Sequence, residues 1–84
     1  MPLKVSVISP EKTLFDGEVD AVIAPAYDGE VGILPMHAPM MTLLGKGVLS
    51  LGADGVAGRF QVEGGFLQVA DDHVRVVTER ATPA

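Results

Sequence analysis

The sequence predicts an all-β fold, a sandwich or flattened barrel of short antiparallel strands. Apolar and polar residues alternate with a period of two in most segments, and turn-forming residues recur about every ten residues. No segment keeps the period of an α-helix for three turns. Many short strands joined by regularly spaced turns are typical of sandwiches and barrels. The 84 residues suffice for one domain, without linkers or convincing repeats.

Two predicted strands lie in the first third of the chain. In LKVSVIS, the apolar side chains from Leu3 to Val7 share one face, and the polar side chains share the other. In EVDAVIAP, the same alternation gives the inner face to Val19, Ala21 and Ile23. Both segments therefore read as half-buried strands.

Three further strands are predicted in the last third, in RFQVEGG, FLQVA and HVRVVT. Clusters of Gly, Pro, Asp and Ser separate the predicted strands and mark tight connections. The predicted turns are Ser9-Pro10-Glu11, Asp16-Gly17, Tyr27-Asp28-Gly29, Gly45-Lys46-Gly47, Ala53-Asp54-Gly55, Gly64-Gly65 and Asp71-Asp72.

The charge pattern limits the classes of partner. The net charge is −5, and the six basic residues are scattered along the chain. No basic cluster exists to follow a phosphate backbone, so we expect no nucleic-acid partner and no binding to anionic lipid. The N-terminus lacks the apolar run of a signal peptide, and the uncharged stretch Val31 to Gly45 is too short to span a bilayer. We therefore expect a soluble protein of the cytosol without direct membrane insertion.

Residue types that carry catalysis are sparse. His37 and His73 lie far apart in sequence, and none of the serines at positions 6, 9 and 50 lies in a strained nucleophile turn. A catalytic triad needs a nucleophile, a base and an orienting group together. We therefore predict no enzyme activity, no catalytic residue and no cofactor.

The segment ADDHV, from Ala70 to Val74, offers two carboxylates and an imidazole. It fits either a metal site or a hairpin turn in which aspartate bonds its own backbone. The turn is favoured, because a metal site needs further ligands. We predict no metal site.

The middle segment GEVGILPMHAPMMTLLGKG is apolar but irregular. Prolines at positions 35 and 39 stiffen it, and Met36, Met40 and Met41 add adaptable apolar area. Two interpretations remain open: a packed interface with a partner, or a loop that closes the end of the barrel.

This segment resembles the signature of the epsilon subunit of F-type ATP synthases, called delta in mitochondria. That family reads approximately G-E-x-G-I-L/Y-P-x-H-A-P, an apolar residue, x-T-x, an apolar residue, x-x-G. The flanks LKVSVISPEKTLFDGEVDAVIAP and FQVEGGFLQVADDHVRVVTERA are similar to the opening and closing strands of the family, so the resemblance covers essentially the whole chain. The matching signature residues are Gly29, Glu30, Gly32, Ile33, Leu34, Pro35, His37, Ala38, Pro39, Met40, Thr42 and Gly47.

The resemblance implies a flattened antiparallel β-sandwich of about ten short strands. It also implies a non-catalytic subunit of the central stalk, which joins the gamma subunit to the membrane c-ring and transmits torque in proton-driven ATP synthesis. Its expected location is the cytoplasmic face of the cell inner membrane, as a peripheral protein. By family position, Asp28, Gly29 and Glu30 face the c-ring. The residues expected to face the gamma subunit are Ser9, His37, Met40, Met41 and Thr42. For His37, a hydrogen bond within the domain is the alternative.

The family usually continues into a C-terminal helical hairpin, whereas this sequence ends at Ala84. Residues 1–84 therefore correspond to the N-terminal β-sandwich domain, with the hairpin absent. A natural short form and a chain cut at the domain boundary are both compatible with this end. The start at Met1 favours the natural form. The alternatives to a rotor subunit are a free-standing β-sandwich that binds another partner through its Met-rich edge, and a small enzyme or ligand-binding barrel.

Overall fold

The computed structural model describes residues 2–52, 55 and 57–84, and these residues form strands and no helix. The predicted all-β fold is confirmed, with eight strands in the described part of the chain rather than about ten. The strands are β1 (Leu3–Ile8), β2 (Thr13–Val19), β3 (Val22–Ala26), β4 (Gly29–Ile33), β5 (Met40–Leu43), β6 (Lys46–Leu51), β7 (Gly58–Ala70) and β8 (His73–Pro83).

The strands form one continuous sheet in the order β2-β1-β8-β7-β6-β3-β4, and β5 pairs separately with β7. Strands β1 and β8 run parallel, with Lys4 opposite His73 and Ile8 opposite Val77. The other strand pairs among the described residues are antiparallel. The predicted antiparallel arrangement therefore holds except at β1–β8.

Strand β7 bends at Gly64 and Gly65 and changes its partner there. Residues 58–63 pair with β6, and residues 66–69 pair with β5. Both glycines have positive φ angles, 69° and 105°. The turn predicted at this glycine pair is wrong, because the ladder to β8 keeps one register on both sides of the bend. The bend directs the two halves of the sheet to opposite sides of one core.

The core is a single apolar cluster to which both halves contribute. Valine and leucine dominate it, in agreement with the thin, aliphatic core expected of a small chain. The buried members are Leu3, Val5, Val7, Val19, Val22, Ala24, Ile33, Leu44, Leu49, Leu51, Val62, Leu67, Val69, Val74 and Val76.

The predicted alternation is confirmed for β1 and wrong for EVDAVIAP. Val19 and Ala21 are buried as expected, but the next fully buried residues are Val22 and Ala24, whereas Ile23 is only partly buried. The chain bends at Asp20, between β2 and β3. Just after this bend, the consecutive residues Ala21 and Val22 are both buried, so the alternation shifts by one residue and the inner face passes from odd to even positions.

The turn predictions have mixed outcomes. Turns or bends do occur at Ser9-Pro10-Glu11, Tyr27-Asp28 and Asp71-Asp72, and Gly45 connects β5 to β6. Asp16 and Gly17 instead lie inside β2, opposite Ser6 and Val5. Ala53 and Asp54 lie outside the described residues.

Candidate partner-binding surface

Strand β5 follows directly on the proline-containing segment and has an inward and an outward face. Met40 packs against the core, and Thr42 is half-buried on the same side. Met41 and Leu43 point outward and are 66% and 63% exposed. Since neighbouring side chains on a strand alternate between faces, the outward positions form an apolar pair in solvent.

Tyr27 extends this pair. It lies in the turn between β3 and β4, and its N–H donates a hydrogen bond of 3.0 Å to the Leu43 carbonyl oxygen. Its side chain is 67% exposed and lines a shallow depression together with Met41 and Leu43. We call these three residues the β5 apolar face. Contiguous exposed apolar groups of this kind mark interaction sites on small soluble domains.

A row of apolar residues continues from this face across the sheet. Leu43 is opposite Phe66, Phe66 is opposite Val77, and Val77 is opposite Ile8. Paired residues share a face of a sheet, so all four point outward, and the last three are half-buried. We call these four residues the outer apolar row.

The outer apolar row is bordered by polar residues on the same face of the sheet. The neighbouring row across the same four strands is mainly polar, and it consists of Met41, Gln68, Arg75 and Ser6. An apolar patch with a polar border is the usual composition of a protein–protein interface.

Residues 34–39 connect β4 to β5, and we call them the proline loop. Within it, the His37 N–H donates to the Leu34 carbonyl oxygen at 3.2 Å. The His37 Nδ1 atom lies 2.8 Å from the Ala38 carbonyl oxygen. A carbonyl oxygen only accepts, so this contact requires a proton on Nδ1. The hydrogen bond within the domain, left open by the sequence, is therefore present.

The structure separates two of the residues predicted to face gamma. Ser9 lies in the turn after β1, where its Oγ atom donates to the Lys12 carbonyl oxygen at 3.2 Å. His37 lies in the proline loop, which contacts Asp72 in the turn just before β8, whereas Ile8 is paired with Val77 near the middle of β8. Val77 is five residue steps along the chain from Asp72, which in extended strand is roughly 16 Å. Ser9 and Thr42 lie instead near the two ends of the outer apolar row.

The other residues predicted to face gamma divide between the two faces of β5. Met41 lies on the outer side, whereas Met40 and Thr42 point toward the core. Sequence reasoning missed Tyr27, Leu43 and Phe66. The alternation in MMTL contained the signal for Leu43, which lies two residues after Met41. The contributions of Tyr27 and Phe66 depend on long-range pairing that no local pattern encodes.

The residues predicted to face the c-ring lie together at the tip of the β3–β4 hairpin. Asp28, Gly29 and Glu30 are all exposed, and Gly29 has a φ angle of 137°. The tip presents two carboxylates next to Tyr27. Its chemistry is therefore polar and acidic, in contrast with the adjacent β5 apolar face.

The segment ADDHV forms the predicted turn between β7 and β8. Asp71 and Asp72 have φ angles of 50° and 60°, which aspartate tolerates better than most residues. The Asp72 carboxylate accepts a hydrogen bond from the Met36 N–H. The described residues contain no group of three or more His, Asp or Glu side chains arranged to hold a metal ion. They also include no helix with the length and apolar character needed to cross a bilayer.

Residues 2–84 match the family model of the ATP synthase Delta/Epsilon chain, beta-sandwich domain. This chain belongs to that family. It is 48% identical over 77 residues to the ATP synthase epsilon chain of Leptospira borgpetersenii, which covers 92% of this chain and 61% of the relative. It is 43% identical over 83 residues to the ATP synthase epsilon chain of Gluconacetobacter diazotrophicus, which covers 98% of this chain and 59% of the relative. The chain thus spans less than two thirds of the length of these relatives.

Solved structures support the fold of this family member. A chain of the Euglena gracilis mitochondrial ATP synthase (OSCP, F1 and c-ring) matches with a TM-score of 0.87 and 24% identity, over 98% of this chain and 53% of that chain. A chain of the Tetrahymena thermophila mitochondrial ATP synthase central stalk and c-ring matches with a TM-score of 0.79 and 18% identity, over 99% of this chain and 67% of that chain. At this level of identity, the matches show the fold.

Proposed function

We propose that this chain is the β-sandwich part of a non-catalytic rotor subunit of an F-type ATP synthase. It would join the gamma subunit to the membrane c-ring and transmit torque in proton-driven ATP synthesis, as a peripheral protein on the cytoplasmic side of the membrane. Family membership supports this role. The observation that carries it is the pair of chemically different exposed surfaces, one apolar and one acidic, which adjoin at Tyr27.

The apolar surface is the proposed contact with gamma. It comprises the β5 apolar face and the outer apolar row, with Ser9 and Thr42 near its ends. The area is apolar in its centre and polar at its border, as in the interfaces of stable complexes. His37 would contribute from the proline loop, next to the start of β5.

The acidic tip of the β3–β4 hairpin is the proposed contact with the c-ring. Asp28 and Glu30 are exposed, and each can accept hydrogen bonds from polar or basic groups of a partner. An exposed polar contact of this kind determines orientation more than affinity. It suits a joint whose binding energy comes from the larger apolar surface.

The sheet is suited to carrying a mechanical load between two partners. Strands β7 and β8 contain 13 and 11 residues and pair along nearly their whole length, through both halves of the sandwich. Shear between the two halves would have to break many backbone hydrogen bonds at once. The fold can therefore transmit torque as one body.

The test compares two leucines that are almost equally exposed. Leu43 is 63% exposed and belongs to the apolar surface. Leu34 is 62% exposed and lies at the start of the proline loop, but its side chain lines a different depression, with Ile23 and Gly32, and only its backbone carbonyl takes part in the hydrogen bond within the loop. Neither Leu43→Ser nor Leu34→Ser should lower the melting temperature much, because exposed substitutions change stability by about 0.5 kcal/mol or less. In titrations with the gamma subunit, we expect Leu43→Ser to weaken binding about tenfold, which is about 1.4 kcal/mol.

Leu34→Ser should leave the gamma affinity within about twofold of the original chain. Equal affinities of all three chains would refute the assignment of the apolar surface. Failure of the original chain to bind gamma would refute the proposed function itself.

A further inference from the structure

A single carboxylate connects the proline loop to the turn between β7 and β8. The Met36 N–H donates to Asp72 Oδ1 at a distance of 2.6 Å, across 36 residues of sequence. Hydrogen bonds to ionised carboxylates are shorter and stronger than those between neutral groups. Asp72 is itself held in place, because its carbonyl oxygen accepts the Lys4 N–H at 2.8 Å.

The backbone of Met36 needs such support. Its φ angle is 66°, a left-handed conformation that a non-glycine residue rarely adopts without help from its surroundings. The Met36 side chain is 88% exposed, so packing of that side chain supplies little of the support. The His37 N–H to Leu34 carbonyl bond closes the loop on itself but does not join it to the sandwich. The hydrogen bond from the Met36 N–H to Asp72 joins the loop to the sandwich.

We infer that Asp72 is a positioning residue of the partner-binding surface. Its carboxylate holds the proline loop in one conformation, and the loop in turn fixes the direction of His37 and the start of β5. A preformed loop loses less conformational entropy on binding than a mobile one, so the restraint raises the affinity for a partner. This inference rests on the proposed function, because the partner in question is gamma.

The neighbouring aspartate provides a matched control. Asp71 and Asp72 occupy the same turn with similar positive φ angles, but only the Asp72 carboxylate has a described hydrogen bond to the proline loop. Glycine tolerates positive φ, so Asp71→Gly and Asp72→Gly each remove a carboxylate without adding backbone strain. Asp72→Asn keeps an acceptor oxygen and also tolerates the turn.

Two measurements on the full chain test the inference. The first is hydrogen exchange of the Met36 amide by NMR, which requires no partner. We expect Asp72→Gly to speed this exchange about tenfold or more, while Asp71→Gly and Asp72→Asn leave it within about threefold. The second is titration with gamma, in which Asp72→Gly should bind about fivefold more weakly, with rescue by Asp72→Asn.

Unchanged Met36 exchange in Asp72→Gly would refute the restraint. Faster exchange combined with unchanged gamma affinity would refute the positioning role. If the original chain fails to bind gamma, the proposed function fails and the positioning role fails with it, while the exchange data still decide whether the restraint exists. If Asp72→Gly does not fold, the exchange test relies on Asp72→Asn, which keeps an acceptor oxygen and is expected to keep the Met36 amide protected. Loss of that protection in the folded Asp72→Asn chain would refute the restraint by an acceptor oxygen at position 72.

Discussion

Among the glycines that the structure describes, Gly65 leaves the least room for a side chain. Its φ angle is 105°, and a Cβ atom there would overlap the Val77 carbonyl oxygen and lie 2.7 Å from the Thr78 Cα atom. Both obstacles are backbone atoms of β8, which cannot move without breaking the β7–β8 ladder. The glycine pair Gly64-Gly65 predicts a change in the direction of the chain, but the sequence cannot distinguish a reversing turn from a bend within a strand.

We expect Gly65→Ala to destabilise the domain by at least about 2 kcal/mol, from the overlap and the unfavourable φ together. Gly32→Ala is the control, because no atom lies within 4 Å of a Cβ at Gly32. That change should leave the free energy of unfolding within about 1 kcal/mol of the value for the original chain. Urea unfolding of both variants measures the difference, and equal midpoints would contradict the role assigned to Gly65.

Glu30 is the residue through which the c-ring contact can be tested separately. It is exposed, so Glu30→Arg should change the stability by at most about 0.5 kcal/mol. We expect it to weaken association with the c-ring, because it reverses the charge at the hairpin tip. Glu11→Arg, in another exposed turn, should not. A melting temperature several degrees lower for Glu30→Arg would show instead that Glu30 serves folding.

At the scale of elements, strand alternation predicted β1 correctly and placed strands in the last third of the chain, but RFQVEGG and FLQVA are one strand, β7, rather than two. It failed in two places where the chain bends. Just after the bend at Asp20, the inner face shifts by one residue between Ala21 and Val22, and at Gly64-Gly65 the strand continues through residues that also suit a turn. The local sequence is compatible with either a continuing, bent strand or a reversing turn. The choice between them depends on pairing with β8, which is distant in sequence.

The proline loop supports a prediction at this scale. Pro35→Gly combined with Pro39→Gly should give a folded chain that binds gamma more weakly. Each change adds backbone freedom worth on the order of 1 kcal/mol, which binding must then remove. Titration calorimetry measures the loss. An unchanged affinity would mean that the stiffness of the loop makes no contribution, although Asp72 could still hold it.

For the whole molecule, the sequence predicted the all-β class and the family, because the signature residues and the alternation extend along the whole chain. It did not predict the β5 apolar face or the contact between Met36 and Asp72. Both arise from residues that meet only after the sheet has formed. The alternative left open for His37 could not be decided from sequence, since it depends on the orientation of one ring in the proline loop.

The charge distribution also supports a prediction for the whole chain. We expect no ATP binding at millimolar concentration and little inhibition of ATP hydrolysis by the catalytic head. The net charge is −5, and Lys46 and Arg80 each lie within 4.0 Å of a Glu63 carboxylate oxygen. A phosphate chain needs clustered donors and positive charge. Defined shifts of amide resonances on addition of ATP would contradict this expectation.

The most direct test of the coupling role is ATP-driven proton pumping by membranes from the source organism that have been stripped of their own epsilon subunit. We expect the purified chain to restore pumping in a saturable manner. Leu43→Ser and Glu30→Arg should each need a higher concentration to do so, and Leu34→Ser should match the original chain. If the folded chain binds to these membranes yet ATP hydrolysis remains uncoupled from pumping, the chain does not join gamma to the c-ring and the account is wrong.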